Sequence, residues 1–170
     1  MINTISIISW NNGLIMTSNQ KLRLTTFWKK KFNCKKEIID AFNSLNREDF
    51  VTDEFKSQVY VDKPIPSMRG KTISQPTTMM IMTSILEVEI GMSVFEVGSG
   101  SGYQAAILSK LVGDLGIVIS TEVVPELVHF ARNNIDKASI QNVTILEEDG
   151  STYVDKNAPF DRIMITAGCK

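Results

Sequence analysis

Three glycines at close spacing form the strongest chemical signal in this chain. Gly98, Gly100 and Gly102 come directly after an apolar run that ends at Val97. Glycines let a loop turn tightly and let a ligand approach the backbone. A helix starting behind the loop would offer free N–H groups and a partial positive charge. Such a helix end attracts a carboxylate or a phosphate, so we predict a ligand site here.

Carboxylates follow the predicted strands around this loop. Glu96 precedes the loop, Glu122 follows the next strand, and Asp149 with Gly150 follows the third. Glu122 lies about 20 residues beyond the last glycine, where an acid can accept hydrogen bonds from two ribose hydroxyls. A carboxylate near the start of the next helix is the alternative interpretation of Glu122. Asp149 could meet an adenine amino group, although Asp-Gly is also an ordinary turn.

Two adenosine-bearing ligands fit this pattern. Gly100, Gly102 and Ala105 satisfy the GxGxxA spacing of dinucleotide-binding loops, which keeps NAD as an alternative. That register would leave Glu96 inside the strand, where burying a carboxylate is costly. A loop beginning at Gly98 instead puts Glu96 near the strand's end, where it can accept hydrogen bonds and attract a cation. The pattern therefore favours S-adenosylmethionine, which carries a sulfonium and an ammonium group.

The elements that must position these residues alternate between strand and helix. The sequence predicts strands over 93–97, 116–121, 143–146 and 160–166, with helices over 103–111 and from Pro125 onward. Such alternation implies parallel strands and right-handed crossovers. We therefore expect an α/β protein with a doubly wound parallel sheet.

The sequence predicts two parts of the chain, a leader and a domain. Residues 1–34 show no sustained hydrophobic period and are predicted to be a variable, partly ordered leader. Residues 35–170 are predicted to form one domain. Within it, 35–90 supplies N-terminal helices and 91–170 forms the cofactor-binding core.

Two helices and a short further helical piece are predicted within residues 35–90. Apolar residues between Ile38 and Leu45 recur at helical spacing, and residues 47–55 suggest a short further helical piece. Residues 58–76 are punctuated by proline and glycine, which predicts an irregular segment. Thr77 and Thr78 are predicted to cap a helix whose methionines face the core.

Composition excludes several classes of function. The chain has 170 residues, 43% of them hydrophobic, and a net charge of −1, so it fits one globular domain without the basic excess of a nucleic-acid binder. Cys34 and Cys169 lie far apart without metal-ligand spacing, so we expect no metal site and a reduced, cytoplasmic setting. No apolar run reaches the roughly 18 residues that suggest a membrane span, so we expect no membrane partner.

Longer motifs make the pattern specific. The run from Val94 to Ala106 (VFEVGSGSGYQAA) resembles the first motif of the protein-L-isoaspartate O-methyltransferase family. Residues 70–76 (GKTISQP) resemble that family's substrate-side signature, which other methyltransferases lack. Shorter matches keep the family's order at 47–51, 64–66, 122–127, 148–151 and 158–161. The resemblance covers roughly residues 36–168. It implies the class I S-adenosylmethionine-dependent methyltransferase fold, which is Rossmann-like, with an N-terminal helical segment.

The resemblance implies roles for individual residues. Cofactor contacts fall on Glu96, Gly98, Ser99, Gly100, Gly102, Glu122, Asp149 and Gly150, and substrate contacts on Thr72, Ile73, Ser74 and Gln75. Ser74 is expected to act in catalysis by contacting the substrate carboxylate, not as a covalent nucleophile. The implied reaction moves a methyl group from S-adenosylmethionine, leaving S-adenosylhomocysteine, to L-isoaspartyl or D-aspartyl carboxylates of damaged proteins, which starts their repair. The expected partners are isoaspartyl peptides and unfolded protein segments, and the expected enzyme is a monomer.

The sequence also departs from the family's pattern. Lys71 stands where the family most often has Gln, and the chain ends after the fourth predicted strand, where the family continues with further strands. We therefore expect the C-terminal strands to be missing and activity to be impaired. The alternative is a truncated or degenerate cofactor-binding homologue without peptide-methylating activity.

Overall fold

A computed structural model of the chain describes residues 19–168. The helices are α1 (19–32), α2 (Lys36–Ser44), α3 (Pro76–Leu86), α4 (Tyr103–Val112), α5 (Pro125–Lys137) and α6 (Gly150–Asn157). The strands are β1 (Ile65–Pro66), β2 (Thr72–Ile73), β3 (Ser93–Val97), β4 (Ile117–Glu122), β5 (Val143–Glu147) and β6 (Arg162–Ile165). Short 3-10 turns occupy Arg47–Phe50, Asp53–Gln58 and Met68–Gly70. None of the helices within this described range is long and apolar enough to cross a lipid bilayer.

The main sheet has four parallel strands in the order β5-β4-β3-β6. The chain moves outward from β3 to β5 and then returns to the other side of β3. The strand order therefore reverses between β3 and β6, and ligands of such sheets bind outside the carboxyl ends of the strands at that point. This arrangement confirms the predicted doubly wound α/β fold.

Helices cover both faces of the sheet. Successive side chains of β3 point to opposite faces, and apolar residues occur on both, so each face is buried. Val94 packs into the main core with residues of α2 and α4. Phe95 points to the opposite face, where its ring stacks on Tyr153 of α6 and on Phe160, with centroids 5.5 Å and 5.0 Å away. At the edge of the sheet, Ile163 and Ile165 of β6 are 46% and 52% exposed.

Helix α1 is an element that the sequence did not predict. Residues 19–32 are helical, although no sustained hydrophobic period precedes Lys35. The buried side chains of α1 are Leu24, Thr25 and Trp28, which form a narrow stripe. The indole N–H of Trp28 donates to the hydroxyl of Thr77 at 2.8 Å, which ties α1 to α3. The remainder of the predicted leader, residues 1–18, and Cys169 lie outside the described residues, and Cys34 is a free thiol.

Replacing Trp28 with phenylalanine tests whether α1 belongs to the folded body. We expect Trp28→Phe to lower the free energy of unfolding by about 2 kcal/mol, because it removes a buried hydrogen bond and leaves a small cavity. The matched control is Phe27→Leu, since Phe27 is 45% exposed and its replacement should change stability by less than about 0.5 kcal/mol. Urea unfolding measures both values. Equal effects of the two substitutions would contradict the packing of α1.

The prediction that Thr77 and Thr78 cap α3 is wrong, because the helix begins before them. The helix begins at Pro76, so Thr77 and Thr78 lie inside its first turn and Gln75 is the N-cap residue. Asp62, from the preceding loop, accepts hydrogen bonds from the backbone N–H and the hydroxyl of Thr77 at 2.9 Å and 2.7 Å. A distant carboxylate therefore satisfies the helix start, which local sequence could not indicate.

Candidate cofactor and substrate site

The glycine loop turns sharply over the end of the neighbouring strand. Gly98, Gly100 and Gly102 have φ values of 96°, 51° and 83°, which favour glycine. The N–H groups of Gly98 and Ser99 donate to the carbonyl oxygen of Thr121 at 2.8 Å and 2.9 Å. Gly102 donates to Ser99 at 2.7 Å and closes the turn. The loop is therefore fixed to the carboxyl ends of β3 and β4.

Glu96 is the fourth of the five residues of β3, near the strand's end as predicted, but this position does not spare it the cost of burial. Its side chain is fully buried, and one carboxylate oxygen accepts a hydrogen bond from the Ser120 hydroxyl at 2.6 Å. The other oxygen has no hydrogen-bond partner among the described residues. Burial raises the pKa of Glu96 to about 7, and the Ser120 hydrogen bond only partly offsets this shift. The cost of burial therefore gives no reason to prefer S-adenosylmethionine to NAD, whereas the attraction of Glu96 for a cation remains.

Glu122 ties the glycine loop to the start of α5. One of its carboxylate oxygens accepts from the N–H groups of Val123 and Val124 at 2.9 Å and 3.1 Å. The other accepts from Gly100 N–H at 3.1 Å. A carboxylate offers about four lone-pair positions, so little accepting capacity is left. The position of Glu122 is therefore compatible with ribose binding and with a carboxylate that serves the start of the next helix. A bidentate contact with the ribose requires the Gly100 hydrogen bond to open.

Asp149 and Gly150 start a helix that the sequence did not predict. Asp149 is the N-cap of α6, and its carboxylate accepts from Ser151 N–H at 2.9 Å and from the Ser151 hydroxyl at 2.6 Å. These hydrogen bonds lower the pKa of Asp149. Gly150 packs so closely on β3 that an added Cβ atom would lie 2.7 Å from Val97. Both residues thus sit at the carboxyl end of β5, beside the glycine loop.

The predicted substrate segment forms the second strand of a small antiparallel pair. Thr72 and Ile73 make up β2, which pairs with β1, a hairpin inside the segment predicted to be irregular. Ser74 follows β2, and its carbonyl oxygen accepts a hydrogen bond from Arg47 at 2.6 Å. Gln75 then begins α3 as its N-cap residue. The predicted substrate segment, residues 72–75, therefore runs from β2 to the start of α3.

A cavity of about 60 Å³ brings the two predicted groups of residues together. Thr72, Ile73 and Ser74 line one part of it, and Glu96 with Gly98–Gly100 lines another. The remaining predicted residues do not line this cavity; they are Gln75, Gly102, Glu122, Asp149 and Gly150. A larger groove of about 920 Å³ between α2, α3 and α4 contains none of the predicted site residues.

Several buried polar atoms of this cavity lack hydrogen-bond partners among the described residues. They are Nε and Nη1 of Arg47, one oxygen of Glu96, and the hydroxyls of Ser99 and Tyr103. Buried polar groups are normally paired, so this set indicates a place for a polar ligand. Sequence analysis assigned no role to Arg47 or Tyr103. The match at 47–51 marked Arg47 as part of a motif, but nothing local indicated that it would be buried.

These features together define a class of protein. A glycine loop after the first sheet strand, an acid at the end of the second and the strand order β5-β4-β3-β6 are those of class I methyltransferases with a doubly wound sheet. The family model for protein-L-isoaspartate(D-aspartate) O-methyltransferases matches residues 17–170. The chain belongs to this family, which confirms the predicted resemblance.

Individual relatives agree with this assignment. The chain is 40% identical over 130 residues to the protein-L-isoaspartate O-methyltransferase of Methanococcoides burtonii, covering 76% of this chain and 64% of the relative. It is 43% identical over 132 residues to that of Methanopyrus kandleri, covering 77% of this chain and 58% of the relative. The chain thus spans about six-tenths of the length of these relatives.

Solved structures show the same fold. A protein-L-isoaspartate O-methyltransferase structure has a TM-score of 0.77 and 34% identity, covering 86% of this chain and 48% of that one. A Plasmodium falciparum protein described as a putative protein-L-isoaspartate O-methyltransferase, in complex with S-adenosyl-L-homocysteine, has a TM-score of 0.72. At 23% identity, with coverage of 87% of this chain and 73% of that chain, it supports the fold alone.

Proposed function

We propose that this chain methylates the carboxylates of L-isoaspartyl or D-aspartyl residues in damaged proteins, using S-adenosylmethionine and releasing S-adenosylhomocysteine. One observation carries the proposal most strongly. The segment Thr72–Ser74, which resembles the family's substrate-side signature, lines the same cavity as the glycine loop. Methyl transfer requires the donor and the acceptor to lie side by side, and the meeting of the two segments at this cavity supports the proposal.

The residues at the carboxyl edge of the sheet fit S-adenosylmethionine. Within residues 19–168, one buried oxygen of Glu96 and the hydroxyl of Ser99 have no hydrogen-bond partner, and the Glu96 oxygen suits a cationic group. An added Cβ atom at Gly100 would meet nothing within 4 Å, so the loop leaves open space for a ligand. In our proposal Gly98–Gly102 supply close backbone contacts and Glu122 accepts from the ribose hydroxyls. Asp149 and Gly150 border the adenine.

The proposed chemistry asks little of the protein beyond positioning. S-adenosylmethionine, when bound, supplies a methyl group on a positively charged sulfur. The reaction joins a substrate carboxylate oxygen to that methyl carbon while the carbon–sulfur bond breaks, and no proton moves. A carboxylate is already ionised at about pH 7, so no strong base is required. Ser74 and nearby N–H groups orient the carboxylate with the reacting atoms roughly 3 Å apart.

The proposal extends to partners and setting. We infer that the acceptors are flexible isoaspartyl peptides and unfolded protein segments, since Thr72 is exposed at the mouth of the cavity. The net charge of −1 favours protein over nucleic-acid partners. We further propose a monomeric enzyme of the cytoplasm, with residues 35–170 as its methyltransferase domain.

Methylation of a synthetic isoaspartyl peptide tests this function. With radiolabelled S-adenosylmethionine, we expect base-labile methyl ester on the isoaspartyl peptide and none on the ordinary aspartyl peptide. Ser74→Ala should lower kcat/KM about tenfold, because one hydrogen bond to a charged carboxylate is lost. Cofactor binding without methyl ester would support the second interpretation, a cofactor-binding homologue without methylating activity. An unchanged rate in Ser74→Ala would argue for a different acceptor.

A further inference from the structure

Arg47 is the most unusual charged group of the cavity. Its side chain is fully buried and lies over the ring of Tyr103, with Cζ 4.7 Å from the ring centroid. One terminal nitrogen donates to the carbonyl oxygen of Ser74 at 2.6 Å. Nε and Nη1 have no hydrogen-bond partner among the described residues. Arg47 also forms no ion pair within that part of the chain, where the pairs are Lys36–Asp40, Lys56–Asp53 and Arg69–Glu126.

An unpaired guanidinium in this position is costly. A buried charge without an ion-pair partner loses its hydration, and the hydrogen bond to Ser74 and the contact with the Tyr103 ring replace that hydration only in part. Arginine does not escape the cost by losing its proton. Burial lowers the pKa of Arg47, and the neighbouring tyrosines do not supply a negative charge at neutral pH. The carboxylate of Asp62, which accepts hydrogen bonds from Thr77, offsets this shift only in part and forms no ion pair with Arg47. Proteins keep such a group where it is used, and a planar guanidinium with free N–H donors matches a carboxylate.

Two carboxylates could enter this cavity in the proposed reaction. One belongs to the isoaspartyl acceptor and the other to the methionyl part of the cofactor. Arg47 holds the backbone of Ser74 directly, so its charge is anchored on the substrate segment. Glu96 presents to the same cavity a carboxylate oxygen that has no hydrogen-bond partner among the described residues, and this oxygen suits the cofactor's cationic groups. Because Arg47 is anchored on the substrate segment and Glu96 suits the cofactor, we expect the carboxylate of the isoaspartyl acceptor to be the partner of Arg47.

We propose that Arg47 is the counter-ion of the acceptor carboxylate and thereby sets the preference for a free α-carboxylate over a neutral amide. The inference rests on the proposed function and adds a residue to it. The guanidinium replaces hydration that the carboxylate loses on entering the cavity, and it fixes the carboxylate beside Ser74. Neutral acceptors would leave Arg47 without a counter-ion and are rejected for that reason.

A pair of peptides isolates this interaction. One carries isoaspartate with its free α-carboxylate, and the other carries the same residue as its α-carboxamide. Fluorescence anisotropy in the presence of S-adenosylhomocysteine gives the affinity of each labelled peptide. We expect the wild-type chain to prefer the carboxylate on the order of 100-fold. Arg47→Met should bind the two peptides within about threefold of each other, and Arg47→Lys should keep part of the preference.

Two further measurements separate the proposal from its alternatives. Calorimetry with S-adenosylhomocysteine alone should give Arg47→Met a Kd within about twofold of wild type, since the cofactor does not use this residue. Arg47→Met should also be at least as stable as wild type without ligand, because it removes an uncompensated buried charge. If Arg47→Met does not fold, Arg47→Gln takes its place, and a full carboxylate preference retained in Arg47→Gln overturns the proposal, because that side chain carries no positive charge.

The outcomes distinguish this inference from the proposed function. A wild-type chain that methylates the peptide, with full carboxylate preference retained in Arg47→Met, overturns the role of Arg47 alone. Loss of S-adenosylhomocysteine binding with an unchanged peptide preference assigns Arg47 to the cofactor and also overturns it. A wild-type chain that neither binds nor methylates the peptide overturns the proposed function and this inference with it.

Discussion

Gly98→Ala is expected to lower the free energy of unfolding by about 4 kcal/mol and to abolish measurable binding of S-adenosylhomocysteine. Gly98 has a φ of 96°, and an added Cβ atom would lie 2.7 Å from the Cβ atom of Ala167 and 3.1 Å from its backbone nitrogen. The substitution therefore combines backbone strain with overpacking against the segment that follows β6. Urea unfolding measures the first effect and calorimetry the second.

Gly91→Ala is the matched control for this prediction. Gly91 has a similar φ of 85°, but nothing lies within 4 Å of an added Cβ atom. Its replacement should cost only the left-handed backbone conformation, about 1–2 kcal/mol, and leave ligand affinity unchanged. Equal losses of unfolding free energy in Gly98→Ala and Gly91→Ala would show that the close packing of Gly98 against Ala167 does not matter for the loop.

Glu96→Gln should raise the Kd for S-adenosylhomocysteine about 100-fold at about pH 8. The substitution keeps the size of the side chain and an oxygen that can accept from Ser120, but it removes the buried negative charge. The ligand's ammonium group would then enter the cavity without a counter-ion. Calorimetry measures the change, and Ser120→Ala, which removes the hydrogen bond but keeps the carboxylate, is the control. An unchanged Kd in Glu96→Gln would mean that Glu96 has no part in ligand binding.

The same residue predicts how stability depends on pH. Burial raises the pKa of Glu96 from its ordinary value of 4.5 to about 7. Between these values the folded chain binds more protons than the unfolded chain, so this residue makes stability fall as the pH rises. The loss is on the order of 3 kcal/mol by about pH 7. Urea unfolding should show that Glu96→Gln removes this slope and is more stable than wild type at about pH 8. Parallel pH profiles would contradict the burial of an ionisable Glu96.

The central part of the fold could be predicted from the sequence because its local signals agree. Strand β3 occupies the predicted residues, α4 and β5 end one residue later than predicted, and β4 begins and ends one residue later. The apolar runs of β3, α4 and β4 begin within two residues of a glycine. Helix α6 was missed because Gly150 is its only buried residue, so it has no apolar stripe. Helix α1 was missed for a related reason, since its buried stripe is too narrow to give a sustained period.

Only those parts of the candidate site that lie within sequence motifs could be predicted. The glycine loop and the segment ending at Ser74 were identified separately, and the fold brings them to one cavity. Arg47 was missed because its burial depends on packing against Tyr103 and Ser74, which are distant in sequence. The complete burial of Glu96 could not be predicted either, since the Ser120 hydroxyl that stabilises it belongs to the neighbouring strand.

Calorimetric titration of the wild-type chain with S-adenosylhomocysteine, beside a titration with NADH, tests the cofactor site most directly. We predict saturable binding of one S-adenosylhomocysteine per chain, weaker at about pH 6 than at about pH 8 because Glu96 becomes protonated, and no heat from NADH. A folded chain that binds NADH, or that gives no heat with S-adenosylhomocysteine, would contradict the assignment of this site.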